Sequence, residues 1–368
     1  MLYLCNNDDH MIGTLKKTDE FLKAHKEIIE KINLSIGVAR SLLEIVPITP
    51  ENAMSGHLFP LGEAEDEFEC SIQFCKLGFY KHAIISLRHF LELGLLSVYY
   101  DIDDKSHISI QDWLHSKEDT PYARTVLKKL KTNTNIAEFD VKFSLLEETY
   151  KCYSFLCNFT HTKGYRYSSK RLSRSNVNNF QEKAFLKWLD VMIKVLSLVV
   201  TFHILKYPLA LQNTPLYKKF GLNPPAGGFL EPNQVDNFKK ILSSEWIVAL
   251  QQISDNDSDA VGKAEWVNNL PDITESEIEE QIEREEKRWI EMQGFERWEK
   301  DQDTHLKYLK EQFPSEYESE LLRIDKIKIW AKENNLLSKG KVYLQSTDGQ
   351  MKANISESGN TNSPKVTD

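Results

Sequence analysis

Apolar residues recur every three or four positions along most of the chain, whereas the alternation typical of β-strands is hard to find. This pattern predicts an all-α fold, with a helical bundle core, a second, charged helical C-terminal region and a disordered tail. One long helix is predicted from Leu15 to Val46, where Pro47 and Pro50 end it. Further helices are predicted over 64–76, 78–100, 122–131, 141–162 and 180–207.

The composition of the chain changes after residue 207. Five prolines and three glycines lie between 208 and 233, so this stretch is predicted to connect a helical bundle domain, 1–207, to the C-terminal region, 234–340. In that region a sparse apolar stripe is predicted from Ile278, Ile282, Trp289 and Met292. The last residues, 346–368, are rich in Ser, Asn, Thr, Gly and Lys, which predicts a disordered tail.

The overall composition excludes several classes of protein. Hydrophobic residues make up 41% of the 368 residues and charged residues 27%, which is typical of soluble globular chains, and the net charge of −9 argues against a basic protein that coats nucleic acid. The longest uncharged apolar stretch, Val195 to Leu205, is shorter than the roughly 20 residues that a bilayer requires. The N-terminus lacks the basic region of a signal peptide. We therefore expect no membrane segment and a cytoplasmic location.

The cysteines and the short motifs predict no metal and no cofactor. Cys70 and Cys75, like Cys152 and Cys157, are five positions apart, and residues at this spacing on a helix point in different directions. Reduced thiols are therefore expected. The segment PPAGGF, 224–229, lacks the lysine and spacing of a phosphate-binding loop. The segment from Asp255 onward lacks the glycine and the glutamate of a calcium-binding loop. Its aspartates are therefore predicted to cap the next helix.

The helix predicted over 78–100 is apolar nearly all the way round but contains Arg88 and Glu92. Residues four positions apart share a helix face, so these two side chains are predicted to pair. Because buried charges are costly unless they are paired and hydrogen-bonded, the pair has either a structural or a chemical role. Both interpretations stay open on the sequence.

A second segment, 157–174, combines a histidine with a local excess of positive charge. His161 lies at the end of a predicted helix, where the helix dipole favours it, and its side chain suits proton transfer near neutral pH. No acidic residue lies between His161 and Gln181. The cations suit a phosphate backbone, with Tyr165 and Tyr167 able to stack on bases; the alternative is a solvated loop facing the acidic C-terminal region. The predicted phosphate- or RNA-binding residues are Lys163, Arg166, Lys170, Arg171 and Arg174.

The motif S-L-R-x-x-x-E in an apolar helix, followed by a later helix ending in histidine, resembles the HEPN-like all-α superfamily over about residues 64–207. The resemblance implies a metal-independent endoribonuclease of bacterial antiphage or toxin-type defence that acts as a dimer. It implies that His161 is the acid or base, that Arg88 stabilises the charge on phosphorus, and that Glu92 orients Arg88. The R-x4-6-H signature of the family would place an arginine at one of positions 154–156, counted back from His161. This chain departs from the signature, because these positions are Ser, Phe and Leu.

Two functional hypotheses from different classes remain open. The first is the HEPN-like endoribonuclease, with RNA as the partner. The second is a non-catalytic helical binding or scaffold module, in which the Arg88–Glu92 pair holds the core, His161 caps a helix and residues 274–335 bind a protein partner. A homodimer is a separate prediction, based on the apolar helix 180–207 and on Trp289, Trp298 and Trp330 in the charged helices.

Overall fold

The computed structural model describes residues 8–48, 55–102, 107–174 and 178–337. These residues form seventeen α-helices and two short 3₁₀ turns and contain no strand, which confirms the all-α prediction. The predicted disordered tail, 346–368, lies outside the described residues. The helices are α1 (Asp8–Ala24), α2 (Lys26–Ile45), α3 (Phe59–Lys76), α4 (Tyr80–Tyr100), α5 (Ile108–Leu114), α6 (Ala123–Leu130), α7 (Thr134–Phe143), α8 (Leu145–Thr160), α9 (Ser169–Ser173), α10 (Glu182–Lys206), α11 (Leu216–Phe220), α12 (Pro232–Ile241), α13 (Ser244–Asn256), α14 (Ser258–Asn269), α15 (Glu275–Gln293), α16 (Phe295–Gln312) and α17 (Pro314–Glu333).

The chain divides into two compact units, and the division comes later than the sequence predicts. The first unit comprises Met1–Phe220 and Pro224–Asp272, and the second comprises Gly221–Asn223 and Ile273–Asp368. The predicted boundary at 208–233 is therefore wrong. Helices α12 and α13 belong to the first unit because their apolar residues Val235, Phe238 and Leu250 join its core. Helix α14 belongs to it through a separate small cluster, in which Ala260 and Ala264 pack with Leu209.

The two most apolar helices, α4 and α10, pack against each other in the core of the first unit. A side chain at Gly94 of α4 would place its Cβ atom 2.7 Å from a methyl carbon of Val199 on α10, so only glycine permits this close approach. Near the other end of α10, the Trp188 indole donates a 2.9 Å hydrogen bond to the hydroxyl of Ser71 on α3. Helix α10 is long and apolar enough to span a bilayer, but 72% of its most apolar stretch is buried within the protein.

Two helix boundaries differ from the sequence prediction because backbone geometry interrupts the apolar period. The single helix predicted over Leu15–Val46 is two helices, separated at His25, whose Nδ1 lies 2.8 Å from the carbonyl oxygen of Phe21. The helix predicted over 141–162 begins at Leu145, after Ser144 adopts a left-handed conformation with φ of 53°. The preceding helix α7 is absent from the sequence prediction; its cap is the Asn133 side chain, which accepts a hydrogen bond from the Ile136 amide.

The second unit contains α15, α16 and α17, with a small apolar core of its own. Ile290, Phe295, Trp298 and Ile327 are buried there. The stripe predicted on α15 is wrong at Trp289 and Met292, which are 43% and 48% exposed. Because the stripe contains few apolar residues, the sequence does not determine which face of α15 is buried. In the structure the neighbouring Ile290 makes the contact with the small core.

Ion pairs join the three helices around this small core. Arg323 of α17 bonds the carboxylate of Glu286 on α15, and Lys326 donates to Glu283 of α15 at 2.5 Å. Lys328 of α17 pairs with Glu299 of α16, with 3.0 Å between Nζ and Oε1. Several charges of this charged helical region are therefore paired within the unit.

Candidate functional site

The pairing of Arg88 with Glu92 is confirmed. Arg88 Nη2 donates a 2.8 Å hydrogen bond to Glu92 Oε1, one helical turn further along α4. The Arg88 side chain is 17% exposed and its guanidinium lies 5.5 Å from the centre of the Tyr153 ring on α8. Burial favours the neutral form, but the charge and hydrogen bond of Glu92 outweigh it, so the pKa of Arg88 is raised above its ordinary value. Arg88 is thus a fixed cation between α4 and α8.

Arg88 and Glu92 line a cavity of about 580 Å³ in the first unit. We call it the α4–α8 cavity; its other walls come from α3, α6, Trp113 and residues 120–122. A second pair also lines it, since His89 Nδ1 lies 3.1 Å from Glu67 Oε1. The apolar part of the wall includes Leu95, Val126 and Leu127. A mainly apolar wall with two polar pairs, at this volume, is typical of a small-molecule site.

Tyr153 closes one side of this cavity beside Arg88. Burial, together with a hydrogen bond to Cys157 and the negative charge of Glu92, raises the pKa of Tyr153 to about 12. The hydroxyl therefore stays protonated at neutral pH and can donate a hydrogen bond, but it is a poor base.

His161 lies close to Arg88 in the chain fold, but its side chain does not join the pair. Its backbone N–H donates to the carbonyl of Cys157 at 3.0 Å at the end of α8, and its side chain is exposed. Arg88 Nη1 reaches the preceding residue, Thr160, with an Oγ1 distance of 3.4 Å. Within the described ranges no hydrogen bond or ion pair connects the His161 imidazole to Arg88 or Glu92. The structure thus brings two of the three predicted catalytic side chains together.

The segment after His161 forms an exposed, positively charged loop and the short helix α9. All five predicted cations are exposed, and in the part of the chain that the structure describes none of them has a carboxylate within 4 Å. Ser168 caps α9 by accepting a hydrogen bond from the Arg171 amide at 3.2 Å. The capped turn fixes the backbone from which the cations project; they are Lys163, Arg166, Lys170, Arg171 and Arg174.

Lys187 of α10 belongs to the same positive surface, although the sequence pattern does not single it out. Its ammonium lies 5.4 Å and 5.2 Å from the ring centres of Phe155 and Phe159. Burial lowers the pKa of Lys187, and the positive charges of Arg166 and Arg171 lower it further. The repulsion indicates that positive charge accumulates here without compensation. We call the five loop cations and Lys187 the basic surface.

The two tyrosines in this segment differ in exposure. The Tyr165 ring is 67% exposed, whereas the half-buried Tyr167 ring packs edge-on against Phe159 at 5.1 Å. Tyr165 is therefore the more accessible ring for an unpaired base, and stacking on Tyr167 stays a prediction.

Several residues at these sites are missed by sequence reasoning. Lys81 Nζ donates a 2.6 Å hydrogen bond to Thr162 Oγ1 at the edge of the basic surface. Its spacing of seven residues from Arg88 places both on one face of α4, and this signal could have found it. Glu67, His89 and Trp113 line the α4–α8 cavity from separate elements, so no local pattern marks them.

The cysteines are distributed without forming a ligand set in the described part of the chain. Cys75 is buried, Cys70 is exposed, and Cys152 and Cys157 are half-buried. Across residues 8–48, 55–102, 107–174 and 178–337, no three His, Cys, Asp or Glu side chains converge as metal ligands would. Asp257 caps α14 by accepting from the Ala260 amide at 2.9 Å, as predicted for this acidic run.

Comparisons with known proteins found no match to this chain. No protein-family model matches the chain. Searches of curated proteins and of solved structures also find no match. Functional inference therefore rests on the chemistry of the basic surface and of the α4–α8 cavity.

Proposed function

We propose that the protein binds single-stranded RNA through the basic surface. One observation carries the proposal: the loop cations are exposed and have no carboxylate partner among the described residues, in a protein whose net charge is −9. Cations that are already paired with carboxylates of the protein bind phosphates weakly, whereas unpaired cations release counterions when RNA binds. The exposed Tyr165 ring, set among these cations, supplies a surface on which an unpaired base can stack.

Removing three of these cations is expected to abolish most of the binding. For the triple variant R166A/R171A/R174A we expect the affinity for a single-stranded oligonucleotide at low salt to fall about a hundredfold, and the slope of log K against log salt to decrease by about 2. The reason is that about three phosphate contacts are lost. Fluorescence anisotropy at several salt concentrations measures both quantities.

A matched variant separates this effect from a change in net charge. Lys300, Lys307 and Lys310 are exposed on α16, so K300A/K307A/K310A changes the total charge equally at a different surface. We expect it to bind RNA like the wild type. Equal losses in the two triple variants, or no salt-sensitive binding by the wild type, would contradict the proposal.

A second candidate function is RNA cleavage, as the HEPN-like resemblance implies for a cytoplasmic defence protein. The observation that favours it is the contact of Arg88 with Thr160, which sets a fixed cation beside the residue preceding the exposed His161. In such a reaction the ribose 2′-oxygen attacks phosphorus and the 5′-oxygen leaves. His161 would accept or donate the proton, Arg88 would stabilise the charge on phosphorus, and no metal would take part.

Cleavage in the presence of EDTA tests this candidate. If it is correct, wild type cleaves a single-stranded oligonucleotide without metal, and H161A loses about a hundredfold or more of the rate. R88A should lose a comparable amount, provided that thermal melting shows both variants to be folded. Undiminished cleavage by H161A, or cleavage that EDTA stops, would exclude the mechanism while leaving RNA binding in place.

The binding or scaffold alternative and the homodimer remain proposals with less support. Of the features that suggest dimerisation, helix α10 and Trp298 are buried in their own chain, and Trp330 is covered in part by Lys287, whose ammonium lies 5.2 Å from its ring centre. Trp289 is 43% exposed. The exposed apolar residues that remain on α17 are Leu322 and Ile329. A light-scattering mass of one chain at micromolar concentration would exclude a stable dimer.

A further inference from the structure

The wall of the α4–α8 cavity carries more permanent negative charge than permanent positive charge. Its carboxylates are Glu67 and Glu92, and Arg88 is the one permanent cation among the described residues that line it. Arg88 is already paired with Glu92, with 2.8 Å between Nη2 and Oε1. The partner of Glu67 is His89, whose imidazole is charged only when it is protonated. The charge of Glu67 is thus not balanced by a permanent cation of the described wall.

Both carboxylates are accessible and lie on the same side of α4. The side chains of Glu67 and Glu92 are 31% and 29% exposed, against 17% for Arg88. His89 and Glu92 are three positions apart, so they are neighbours on the surface of α4. Glu67 reaches this face from α3, where its Oε1 lies 3.1 Å from His89 Nδ1. A ligand in the cavity can therefore reach negative charge, whereas Arg88 is largely covered.

The rest of the wall is apolar and aromatic, which suits the body of an organic cation. Trp113 is held in place by a 3.0 Å hydrogen bond from its indole N–H to Thr120 Oγ1 and by the Tyr100 ring, whose centre is 5.6 Å away. The exposed Tyr122 also lines the cavity. The faces of Trp and Tyr rings attract ammonium groups, and the attraction is strongest for Trp. The volume of about 580 Å³ lies within the range of small-molecule sites.

We propose that the α4–α8 cavity binds a small organic amine, that is, a molecule with a protonated amino group on an apolar ring. The ammonium group would donate to the carboxylate of Glu67. The ring would lie against Trp113 and the apolar side chains of Leu95 and Val126. A cleft with excess negative charge and aromatic faces favours a cation over a neutral or anionic molecule of the same shape. The inference does not depend on the basic surface or on RNA binding.

Calorimetric titration of the full chain with matched probes tests the inference. The amines are tryptamine and phenethylamine. Each is compared with the alcohol and the carboxylate that share its ring: tryptophol and indole-3-acetate for the first, 2-phenylethanol and phenylacetate for the second. We expect at least one amine to bind at least tenfold more tightly than its alcohol, and its carboxylate to bind most weakly, because only the amine gains a charge-assisted hydrogen bond. If neither amine binds more tightly than its alcohol, the inference is overturned.

Replacing Glu67 with glutamine separates recognition of charge from the shape of the cavity. We expect Glu67→Gln to bind the amine about tenfold more weakly and the alcohol as the wild type does, since a charge-assisted hydrogen bond becomes a neutral one. Glu63→Gln is the matched control, because Glu63 is exposed on the same helix, lies outside the cavity wall and carries the same charge. Equal losses of amine binding in the two variants would contradict the role of Glu67.

A bulkier side chain at Ala123 locates the bound amine. Ala123 lines the cavity at the start of α6, so Ala123→Trp reduces the space there. We expect the amine and its alcohol both to bind at least tenfold more weakly to this variant, once thermal melting shows it to be folded. Unchanged amine binding would mean that the amine binds elsewhere and would overturn the inference. RNA binding is expected to stay unchanged in all three variants, so the amine site and the RNA site can fail separately.

Discussion

Replacing Gly227 with alanine is expected to lower the free energy of unfolding of the protein by about 3 to 4 kcal/mol, since strained backbone and a steric clash add. Gly227 has a φ of 71°, a conformation that alanine adopts at a cost. A Cβ atom there would lie 2.1 Å from the carbonyl oxygen of Val46 and 2.9 Å from the amide nitrogen of Ile48. Both are backbone atoms, so neither can move aside cheaply.

The loss would also disturb how helix α2 ends. The amide of Gly228 donates a 2.7 Å hydrogen bond to the carbonyl of Glu44, and the amide of Ile48 donates to the carbonyl of Ala226 at 3.0 Å. The glycine-rich loop therefore satisfies a carbonyl that the helix leaves without an intrahelical partner. Displacing the loop would break both bonds, which is why the expected effect is large for a single methyl group.

Urea denaturation of Gly227→Ala measures the change, and Gly262→Ala provides the control. Gly262 lies inside α14, and in the described part of the chain no atom outside the local helix backbone lies within 4 Å of the point that an alanine Cβ would occupy. Alanine there is expected to stabilise the protein by about 0.5–1 kcal/mol. A loss of less than about 1 kcal/mol in Gly227→Ala would contradict the role of the loop.

Acidification from pH 6.5 to pH 4 is expected to remove about 3 kcal/mol of stability through His203 alone. The side chain is fully buried in α10, and burial lowers its pKa to about 4, although the hydrogen bond to Val199 and the charge of Asp101 act in the opposite direction. Its Nδ1 lies 2.9 Å from the Val199 carbonyl, so the neutral ring has its proton there. Nε2 is buried and, among the residues that the structure describes, has no hydrogen-bond partner that could accept a second proton.

The sign follows from the number of protons bound in each state. Between pH 6.5 and pH 4 the unfolded chain binds a proton at His203 and the folded chain does not, so stability rises with pH by up to about 1.4 kcal/mol per pH unit. The contribution is complete above pH 6.5 and is lost progressively as the pH falls towards 4.

Comparing His203→Gln with the wild type isolates this contribution. Urea denaturation at pH 7, 6, 5 and 4.5 should show a shallower pH dependence for the variant, whatever its stability at pH 7. His161→Gln removes an exposed histidine and should follow the wild-type curve. Parallel curves for wild type and His203→Gln would mean that His203 titrates normally in the folded protein.

The sequence predicts local features well where neighbouring residues decide them. The Arg88–Glu92 pair is predictable because four positions along a helix bring side chains to one face. The cap of α14 is predictable because a short acidic side chain before a helix satisfies its first amide groups. The loop cations are exposed as expected, because a run without acids has no partner within its own segment to neutralise it.

Features that depend on residues far apart in the chain cannot be predicted from the local sequence pattern. The sequence places Tyr165 and Tyr167 together, but packing against Phe159 buries part of one ring and leaves the other exposed. It contains no indication that Lys187, on the most apolar helix, joins the basic surface. The prolines and glycines of 208–233 suggest a boundary, yet the loop docks on α2 and the helices beyond it complete the first core.

The sequence by itself therefore determined the helical class, the Arg88–Glu92 pair and the excess of positive charge after His161, since each follows from spacing along one segment. Only the tertiary structure decided that Arg88, Glu92, Glu67 and His89 line one cavity and that the His161 side chain stands outside the pair. The physical reason is that a cavity forms where side chains from several helices fail to fill the space between them. That outcome depends on how the helices pack, which periodicity along the chain does not encode.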